Sequence, residues 1–343
     1  MKIGLTFDLK VSSNVPSESL NDESEEYDPP ETIEALVSEL ERLGHQVVQL
    51  GGGRQFLTNI LRTDVDLVFN ISEGRGHYRS REAQVPGVLE MLGLPYVGSD
   101  PLTLALCLDK PSAKQIAQAG GIPTPKFQVI EDIDDLNHSG TFALDFPVIV
   151  KPVYEGSSKG IHEGSRVDRL SDLRERVGNV IKTYRQPALV EQFIAGTEVT
   201  VGVVGGDPAQ IVGVMEVVPQ DGSAENFIYT LNVKRNWRQM VSYRCPPRLP
   251  ASGIKELENL ALTLFRVLGC RDMARFDFRV DPENRPYFIE ANPLPGLSPE
   301  YGDLSIMGNL TGWGYPRIVR TILDSALNRH GWSRPQYAYR AAS

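Results

Sequence analysis

The sequence predicts an α/β protein, α+β in part, that is divided into three domains. Its 343 residues, of which 41% are hydrophobic and 23% charged, are enough for two or three packed domains. Short apolar strands alternate with helices in the first third of the chain, which is the pattern of a parallel sheet. We therefore place domains at residues 1–106, 107–188 and 189–343.

The first domain opens with an apolar strand at residues 3–7, and an acidic, Ser-rich stretch up to Pro30 follows as a predicted long loop. A helix is predicted from residue 31 to Gly44, because its apolar residues recur on one helical face: Ile33, Leu36, Val37, Leu40 and Leu43. Residues 47–50 and 65–69 are typical of buried strands, with a glycine turn and a short helix between them.

The second domain begins with helices at residues 102–108 and 111–119, the latter with Pro111 at its start, and continues with strands at 126–130 and 148–151. The third domain begins near Leu189. It is predicted to contain two strands, a helix and two further strands, at residues 198–204, 211–217, 254–268, 273–280 and 287–291.

Composition excludes several classes of function. The net charge is -9 and no basic run interrupts it, which argues against a nucleic-acid partner. No segment has the length of a signal-peptide core or of a membrane span, so we expect a cytoplasmic protein without a membrane partner. The three cysteines lack a CxxC pair and the five histidines lack metal-ligand spacing, so neither a disulfide framework nor a zinc site is expected.

The most informative segment is MARFDFR at residues 273–279, which the turn DPEN separates from YFIEAN at 287–292. If the two strands pair as a hairpin, Arg275 and Asp277 share one face, and so do Glu290 and Asn292. Carboxylate and amide oxygens together are suited to Mg²⁺. The alternative is a hairpin with a solvated charged face, which would account for Arg279 and Glu283 in particular.

A second segment, VIVKP at residues 148–152, ends a buried strand with Lys151, and the loop EGSSKG follows at 155–160. A buried ammonium needs an anion, and a glycine-rich loop can present N–H groups to phosphates. A flexible hairpin tip has the same composition. In a third segment, LVEQFI at 189–194 with Glu198 beyond it, acidic and backbone groups are suited to adenine and ribose, although a plain strand and turn fit as well.

Taken in order, these segments resemble the ATP-grasp superfamily and, within it, the D-alanine–D-alanine ligases. Seven strings between residues 65 and 325 carry the resemblance: FNISEG, GVLEMLGLPYVGS, LDK, GIPTP, EGSS, EAN and PG. It implies a three-domain ligase that binds ATP between the central and C-terminal domains and forms an amide through an acyl phosphate. It also implies small amino-acid substrates and a homodimer.

The resemblance implies roles for individual residues on the nucleotide side. Lys110 and Lys151 would hold the α- and β-phosphates, with the 155–160 loop closing over them, while residues 191–194 would bind adenine and Glu198 ribose. The expected ATP-binding residues are Lys110, Lys151, Glu155, Gly156, Ser158, Glu191, Gln192, Ile194 and Glu198.

On the catalytic side, the resemblance implies that two Mg²⁺ or Mn²⁺ ions are bound by three ligands, Asp277, Glu290 and Asn292. Arg275 would stabilise the transferred phosphoryl group, and Lys234 would reach the γ-phosphate from a mobile loop at residues 220–242. The expected catalytic residues are Arg275, Lys234, Ser157 and Gly296.

The chain departs from the family pattern at both substrate pockets. The family carries a Gly-Gly-x-Ser-x-Glu segment after its first strand, whose glutamate binds the first substrate's amino group, whereas residues 6–12 read TFDLKVS. Four acids are candidates to replace that glutamate: Asp8, Glu18, Glu23 and Glu73. Tyr301 stands near the position of a carboxylate-binding serine, and Arg235 follows Lys234 where a tyrosine is common.

D-alanine is therefore the leading substrate, with two alternatives. One is a peptide ligase of other specificity outside cell-wall synthesis. The other is an ATP-binding regulatory protein without turnover. A degenerate site would be expected to lose at least one charged group, and retention of the three lysines, Arg275 and the metal ligands speaks against it.

Overall fold

The computed structural model describes residues 1–10, 22, 24–137, 142–222 and 224–332 of the chain. Most of the acidic stretch that the sequence predicts as a loop lies outside these ranges. No helix among the described residues combines the length and the apolar character that crossing a membrane requires.

The first third of the chain folds into a four-stranded parallel sheet of order β2-β1-β3-β4, which confirms the predicted parallel sheet. Its elements are β1 (Lys2–Thr6), α1 (Pro30–Arg42), β2 (Gln46–Gly51), α2 (Gly53–Ile60), β3 (Leu67–Asn70), α3 (Gln84–Met91) and β4 (Tyr96–Val97). Helix α1 buries Ile33, Leu36 and Leu40, three of the five apolar residues on its predicted face.

The middle of the chain forms a four-stranded antiparallel sheet of order β5-β8-β6-β7. Its elements are α4 (Pro101–Leu108), α5 (Lys110–Ala119), β5 (Phe127–Ile130), β6 (Val148–Pro152), β7 (Arg166–Val167), α6 (Leu170–Tyr184) and β8 (Ala188–Gln192). The division placed after residue 188 falls inside β8. Since β8 pairs with both β5 and β6, residues up to Gln192 belong to this sheet.

The last part of the chain forms a five-stranded antiparallel sheet of order β11-β10-β9-β12-β13. Its elements are β9 (Thr197–Gly205), β10 (Ala209–Pro219), α7 (Leu231–Arg235), α8 (Trp237–Met240), β11 (Val241–Arg244), α9 (Ala251–Val267), β12 (Asp272–Val280), β13 (Pro286–Asn292), α10 (Asp303–Thr311) and α11 (Gly314–Arg329).

A shared apolar core positions the site between these units. Phe276, Phe278 and Phe288 of the hairpin are fully buried and belong to one cluster with residues of α5 and α9. Because α5 packs on β13, the lysines at the start of α5 are held close to the polar face of the hairpin. This packing fixes the distance between charges that lie more than a hundred residues apart in the chain.

Candidate active site

All sixteen residues that the sequence predicts for the site line one of two adjoining cavities, of about 110 and 330 Å³. Twelve line the first cavity, and the second cavity contains the remaining four, which are Lys110, Gly156, Asn292 and Gly296. Five residues face both cavities: Ser157, Lys234, Arg275, Glu290 and Asp303. The wall between the cavities is therefore where groups bound on the two sides would meet.

The hairpin of β12 and β13 has the predicted register. Arg275 lies opposite Asn292 and Asp277 lies opposite Glu290, so the four polar side chains share one face. The register shifts directly after Asp277, where the hairpin continues into its buried phenylalanines. Arg279, which the solvated-face alternative would expose, is only 6% exposed. The hairpin is therefore a buried polar surface.

Three oxygen-bearing side chains on this face have the chemistry of a Mg²⁺ site. Burial tends to raise the pKa of Glu290, but the charges of Lys110, Lys151 and Arg275 outweigh it and lower the pKa to about 2. Asn292 donates its amide N–H to Asp277 Oδ2 at 3.2 Å, and its amide oxygen has no partner among the described residues. Burial raises the pKa of Asp277, and the charge of Arg275 opposes that rise. Two carboxylates and an amide oxygen without a partner in the described ranges are the kind of ligands that a divalent cation takes.

Arg275 is held by carboxylates on two sides. Its Nε and Nη2 donate to Asp277 at 3.0 and 2.8 Å, and its Nη1 donates to Asp303 Oδ2 at 2.6 Å. Burial alone would lower the pKa of Arg275, but these two anions raise it. Asp303 was not predicted, since it begins α10 and nothing in the local sequence connects it to the hairpin.

Two buried lysines share one carboxylate on the nucleotide side of the hairpin. Glu191 forms ion pairs with Lys151 Nζ at 2.5 Å and with Lys114 Nζ at 2.8 Å. Burial tends to lower the pKa of Lys151, yet Glu191 and Glu290 raise it, whereas the pKa of the wholly buried Lys114 falls to about 8 because burial prevails there. Lys114 was not predicted, although its position one helical turn after Lys110 places both on one face of α5.

Lys110 connects the glycine-rich loop to the hairpin. Its ammonium donates to the backbone carbonyl of Glu155 and lies 3.4 Å from Glu290 Oε2. The Glu155 side chain accepts from Gln186 at 2.8 Å and pairs with Lys159, so its carboxylate faces the loop. The loop is thus anchored by charged groups on either side.

The loop itself is strained and closed. Ser157 and Ser158 have φ values of +50° and +58°, a left-handed conformation that non-glycine residues rarely adopt and that is typical of functional sites. Lys234 donates to Ser157 Oγ at 3.0 Å, and Ser158 Oγ donates to the Tyr229 carbonyl at 2.9 Å. The predicted mobile loop therefore rests directly on the glycine-rich loop. Burial and the nearby Arg275 lower the pKa of Lys234.

The far end of the first cavity is built around Arg279. Its guanidinium donates to the Ile194 carbonyl at 3.0 Å and to Glu198 at 3.2 Å. Burial raises the pKa of Glu198, and the pairing with Arg279 opposes that rise. Gln192, the last residue of β8, and Ile194, two residues further on, complete this wall.

The four acids proposed to replace the missing glutamate have different positions. Asp8 already has partners within the protein, since its carboxylate accepts from Gly74 N–H at 3.1 Å and pairs with Arg75 at 2.8 Å. Glu73 lines the second cavity. Glu18 and Glu23 lie outside the described residues. The Asp8 alternative is therefore not supported by its contacts.

An acid that the sequence did not single out lies against the glycine-rich loop. Glu26 accepts from Gly156 N–H at 2.6 Å and from Arg81 at 2.7 Å, and it pairs with Lys159 at 3.3 Å. The acidic stretch has no periodic pattern that would have indicated this contact. Its described part therefore reaches from the first domain into the site.

The opposite wall of the second cavity contains Gly296 and Tyr301. Tyr301 is 44% exposed and lies at the end of the turn before α10. An added methyl group at Gly296 would meet no atom within 4 Å, so this part of the loop has open space beside it. Both residues thus border the space that a second substrate would enter.

Comparison with known proteins places the chain among relatives of one kind. The sequence model described as "D-ala D-ala ligase C-terminus" matches residues 116–324. The D-alanine–D-alanine ligase of Bordetella petrii is 33% identical over 275 residues, which cover 80% of each chain. An uncharacterized protein of Sinorhizobium fredii is 31% identical over 310 residues, covering 87% of this chain and 88% of that protein.

The fold also matches a solved structure. The D-alanine–D-alanine ligase of Bacillus anthracis, determined in complex with ATP, superposes with a TM-score of 0.73. The match has 23% sequence identity and covers 96% of this chain and 99% of that one. The overall three-unit architecture is therefore that of the solved ligase.

Proposed function

The chain belongs to the D-alanine–D-alanine ligase family of ATP-dependent ligases, and we propose that it joins a carboxylate to an amine through an acyl phosphate. D-alanine is the leading substrate, because several relatives at about 30% identity are named as ligases of D-alanine. The observation that carries the proposal is the wall shared by both cavities, where Lys234, Arg275 and Glu290 converge.

We assign ATP to the first cavity. Lys110 and Lys151 would neutralise its phosphates, residues 192–194 at the end of β8 would bind adenine, and Glu198 would accept from the ribose hydroxyls. The ATP reported in the Bacillus anthracis ligase supports this assignment. Glu191 would act indirectly, because both of its oxygens are occupied by Lys114 and Lys151.

Asp277, Glu290 and Asn292 would hold two Mg²⁺ or Mn²⁺ ions. Bound there, the ions would neutralise charge on the β- and γ-phosphates. The contacts of Asp277 with Arg275 and Thr200 fix its carboxylate, which lines the first cavity.

The reaction has two displacement steps. A carboxylate oxygen of the first substrate attacks the γ-phosphorus, the bond to the β–γ bridging oxygen breaks, and ADP leaves. The amine nitrogen of the second substrate then attacks the acyl carbon and phosphate leaves, while the two ammonium protons pass to phosphate and solvent. Anions repel each other in the first step, and Lys234 and Arg275 lower that barrier by balancing the developing charge.

Water must be kept from the acyl phosphate. The contacts from Lys234 to Ser157 and from Ser158 to Tyr229 hold the 220–242 segment over the site, which is the position of a closed lid. We further propose, as the family resemblance implies, that the protein is a cytoplasmic homodimer.

A screen for ADP and phosphate release tests the proposal, with D- and L-amino acids supplied singly and in pairs and products identified by mass. We expect release that depends on a pair or on one amino acid in excess, with formation of the corresponding amide. If ATP binds but no acid–amine combination yields an amide, the protein is not a ligase.

A ligase of other specificity outside cell-wall synthesis is the second candidate. The residues at the second cavity support it, since Tyr301 stands near the position of the family's carboxylate-binding serine and the usual N-terminal glutamate is not in its expected place. In the same screen, amide formation from another amino acid with little D-alanine dipeptide would select this candidate.

A further inference from the structure

Three carboxylates from the first domain line one wall of the second cavity. They are Asp28 at the end of the acidic stretch, Glu73 after β3, and Glu82 in the turn before α3. The opposite wall contains the hairpin residues Glu290 and Asn292. A molecule in this cavity would therefore lie between the three acids and the shared catalytic wall.

Glu82 is the most unusual of the three. It is only 8% exposed, it borders the cavity, and within the described ranges its side chain has no hydrogen-bond or ion-pair partner. The neighbouring Arg81 donates its hydrogen bonds to Glu26 and to the Tyr154 carbonyl, and it forms no ion pair with Glu82. A buried carboxylate without a partner is costly, so its retention needs a reason.

The nearby cations are already engaged. Arg81 and Lys159 both pair with Glu26 and Glu155, and Lys110 pairs with Glu290. Asp28 and Glu73, like Glu82, have no cationic partner within the part of the chain that the structure describes. The wall therefore carries three carboxylates that form no ion pair within the described ranges, although the charge of Arg81 acts on Glu73 and Glu82.

The consequence is visible in the proton affinity of these groups. Burial raises the pKa of Glu82 and of Asp28 to about 7. Nearby acids add to both rises, while Arg81 and Lys110 oppose the rise at Glu82. Burial, Glu82 and Glu26 likewise raise the pKa of Glu73. A bound cation would relieve this repulsion. The protein's own ion pairs would not have to rearrange.

We propose that this acidic wall, formed by Asp28, Glu73 and Glu82, binds a substrate that carries two ammonium groups, such as a diamino acid. The proposal depends on the proposed ligase function only for the reaction that the bound substrate undergoes. A single α-ammonium would balance one of the three charges and leave two buried carboxylates facing each other. A second ammonium at the end of a short side chain balances another.

The position of the wall fits this substrate. Glu82 is close enough to Lys110 and Glu290 for their charges to act on its pKa, so an ammonium held at Glu82 leaves the substrate within reach of the shared wall. The cavity of about 330 Å³ has room for a side chain longer than that of alanine.

Calorimetric titration without nucleotide tests the proposal independently of turnover. The probes are ornithine and norvaline, each in the D and L forms, because they share a three-carbon side chain and differ only in the second ammonium. The proteins are the wild type, Glu82→Gln, Glu73→Gln and the control Glu258→Gln, whose partly exposed side chain pairs with Lys255 and does not line the cavity.

We expect one enantiomer of ornithine to bind the wild type about tenfold or more tightly than the matching norvaline, as charged hydrogen bonds in a buried site allow. Glu82→Gln or Glu73→Gln should remove most of that preference, and Glu258→Gln should keep it. Both glutamine variants remove a destabilising charge, so loss of folding is not expected to obscure the result.

Equal binding of ornithine and norvaline to the wild type would overturn the proposal, and so would a preference that survives in both glutamine variants. The ligase proposal fails by a different result, which is the absence of amide formation in the release screen. Preference for ornithine without amide formation would support the acidic wall and reject the ligase activity.

Discussion

The two cavities differ in how their buried charges are balanced. On the nucleotide side the carboxylates discussed above have cationic partners, as in Glu191 with Lys114 and Lys151, or Glu198 with Arg279. On the other side Glu82 and its two acidic neighbours have none among the described residues. A paired site is organised before its ligand arrives, whereas an unpaired one depends on the ligand to complete it.

The largest effect is expected where the two cavities meet. Glu290→Gln should lower the ligation rate by roughly 10³-fold, because it removes a carboxylate from the proposed metal site and a charge from the phosphoryl-transfer wall. The fold should survive, since the substitution is isosteric. Steady-state ADP release and thermal unfolding measure both outcomes.

Glu283→Gln is the matched control, because Glu283 lies in the turn of the same hairpin and its side chain is 65% exposed. It should leave the rate unchanged. Near-normal ligation by Glu290→Gln would contradict the proposal that Glu290 binds metal. It would also contradict the proposal that the reaction takes place at the wall shared by the two cavities.

Substitution of Lys151 and substitution of Lys234 should affect different steps of the reaction. Lys151→Ala should weaken ATP binding by about 10- to 100-fold, because it removes a charge directed at the phosphates. Lys234→Ala should mainly slow the chemical step, because Lys234 faces both cavities and closes the loop on Ser157. Nucleotide titration and single-turnover kinetics separate the two effects.

If both lysine variants change nucleotide affinity and single-turnover rate to the same extent, the distinction between them is wrong. Lys151→Ala also leaves Glu191 with Lys114 alone. A change in thermal stability is therefore expected for Lys151→Ala and should be measured beside the kinetics.

The sequence predicts local patterns well and contacts between distant segments poorly. The hairpin was predictable because strand alternation and a short turn bring Arg275, Asp277, Glu290 and Asn292 onto one face. The parallel sheet was predictable from the alternation of strands and helices. Both rest on patterns that are local in the chain.

Contacts made through tertiary packing were not predictable. Lys114 meets Glu191, Asp303 meets Arg275, and Glu26 meets Gly156, and each pair is separated by many residues with no pattern between them. The division at residue 188 was placed without knowledge that β8 pairs on both sides. The acidic wall similarly depends on three segments of the first domain that only the fold brings together.

A smaller effect concerns Glu26, which extends from the first domain to the glycine-rich loop. Its carboxylate occupies the Gly156 N–H and contacts Lys159, two donors that would otherwise be available to a phosphate. Glu26→Ala should therefore lower the KM for ATP by about threefold to tenfold, a range in keeping with one charged hydrogen bond. Initial rates at varied ATP concentration measure it.

Glu25→Ala is the control. The side chain of Glu25, which precedes Glu26 in the chain, pairs with Lys10 and Arg235 and not with the glycine-rich loop. A rise in the KM for ATP in Glu26→Ala would show the opposite role for Glu26. In that case it holds the loop in its binding conformation, and the first domain contributes to nucleotide binding.

The smallest effect is a pH-dependent change in stability at Glu82, and it tests directly whether the second cavity holds an uncompensated charge. Burial raises the pKa of Glu82 from 4.5 to about 7; Glu26 and Glu290 add to the rise, while Arg81 and Lys110 oppose it. Between those two pH values the folded protein binds more protons than the unfolded chain. Stability from this group is therefore complete below about pH 4.5 and is lost as the pH rises toward 7.

The Glu82→Gln variant should not lose stability in this way as the pH rises, because glutamine does not titrate. Its free energy of unfolding should match the wild type near pH 4.5 and exceed it increasingly up to pH 7, by at most about 3 kcal/mol since one pKa unit corresponds to about 1.4 kcal/mol. Denaturant unfolding of both proteins across this pH range gives the difference directly, and Glu258→Gln, at a partly exposed and ion-paired site, should show none. A wild type more stable than Glu82→Gln at pH 7 would mean that Glu82 has a partner in the free protein. The contrast between the two cavities would then disappear.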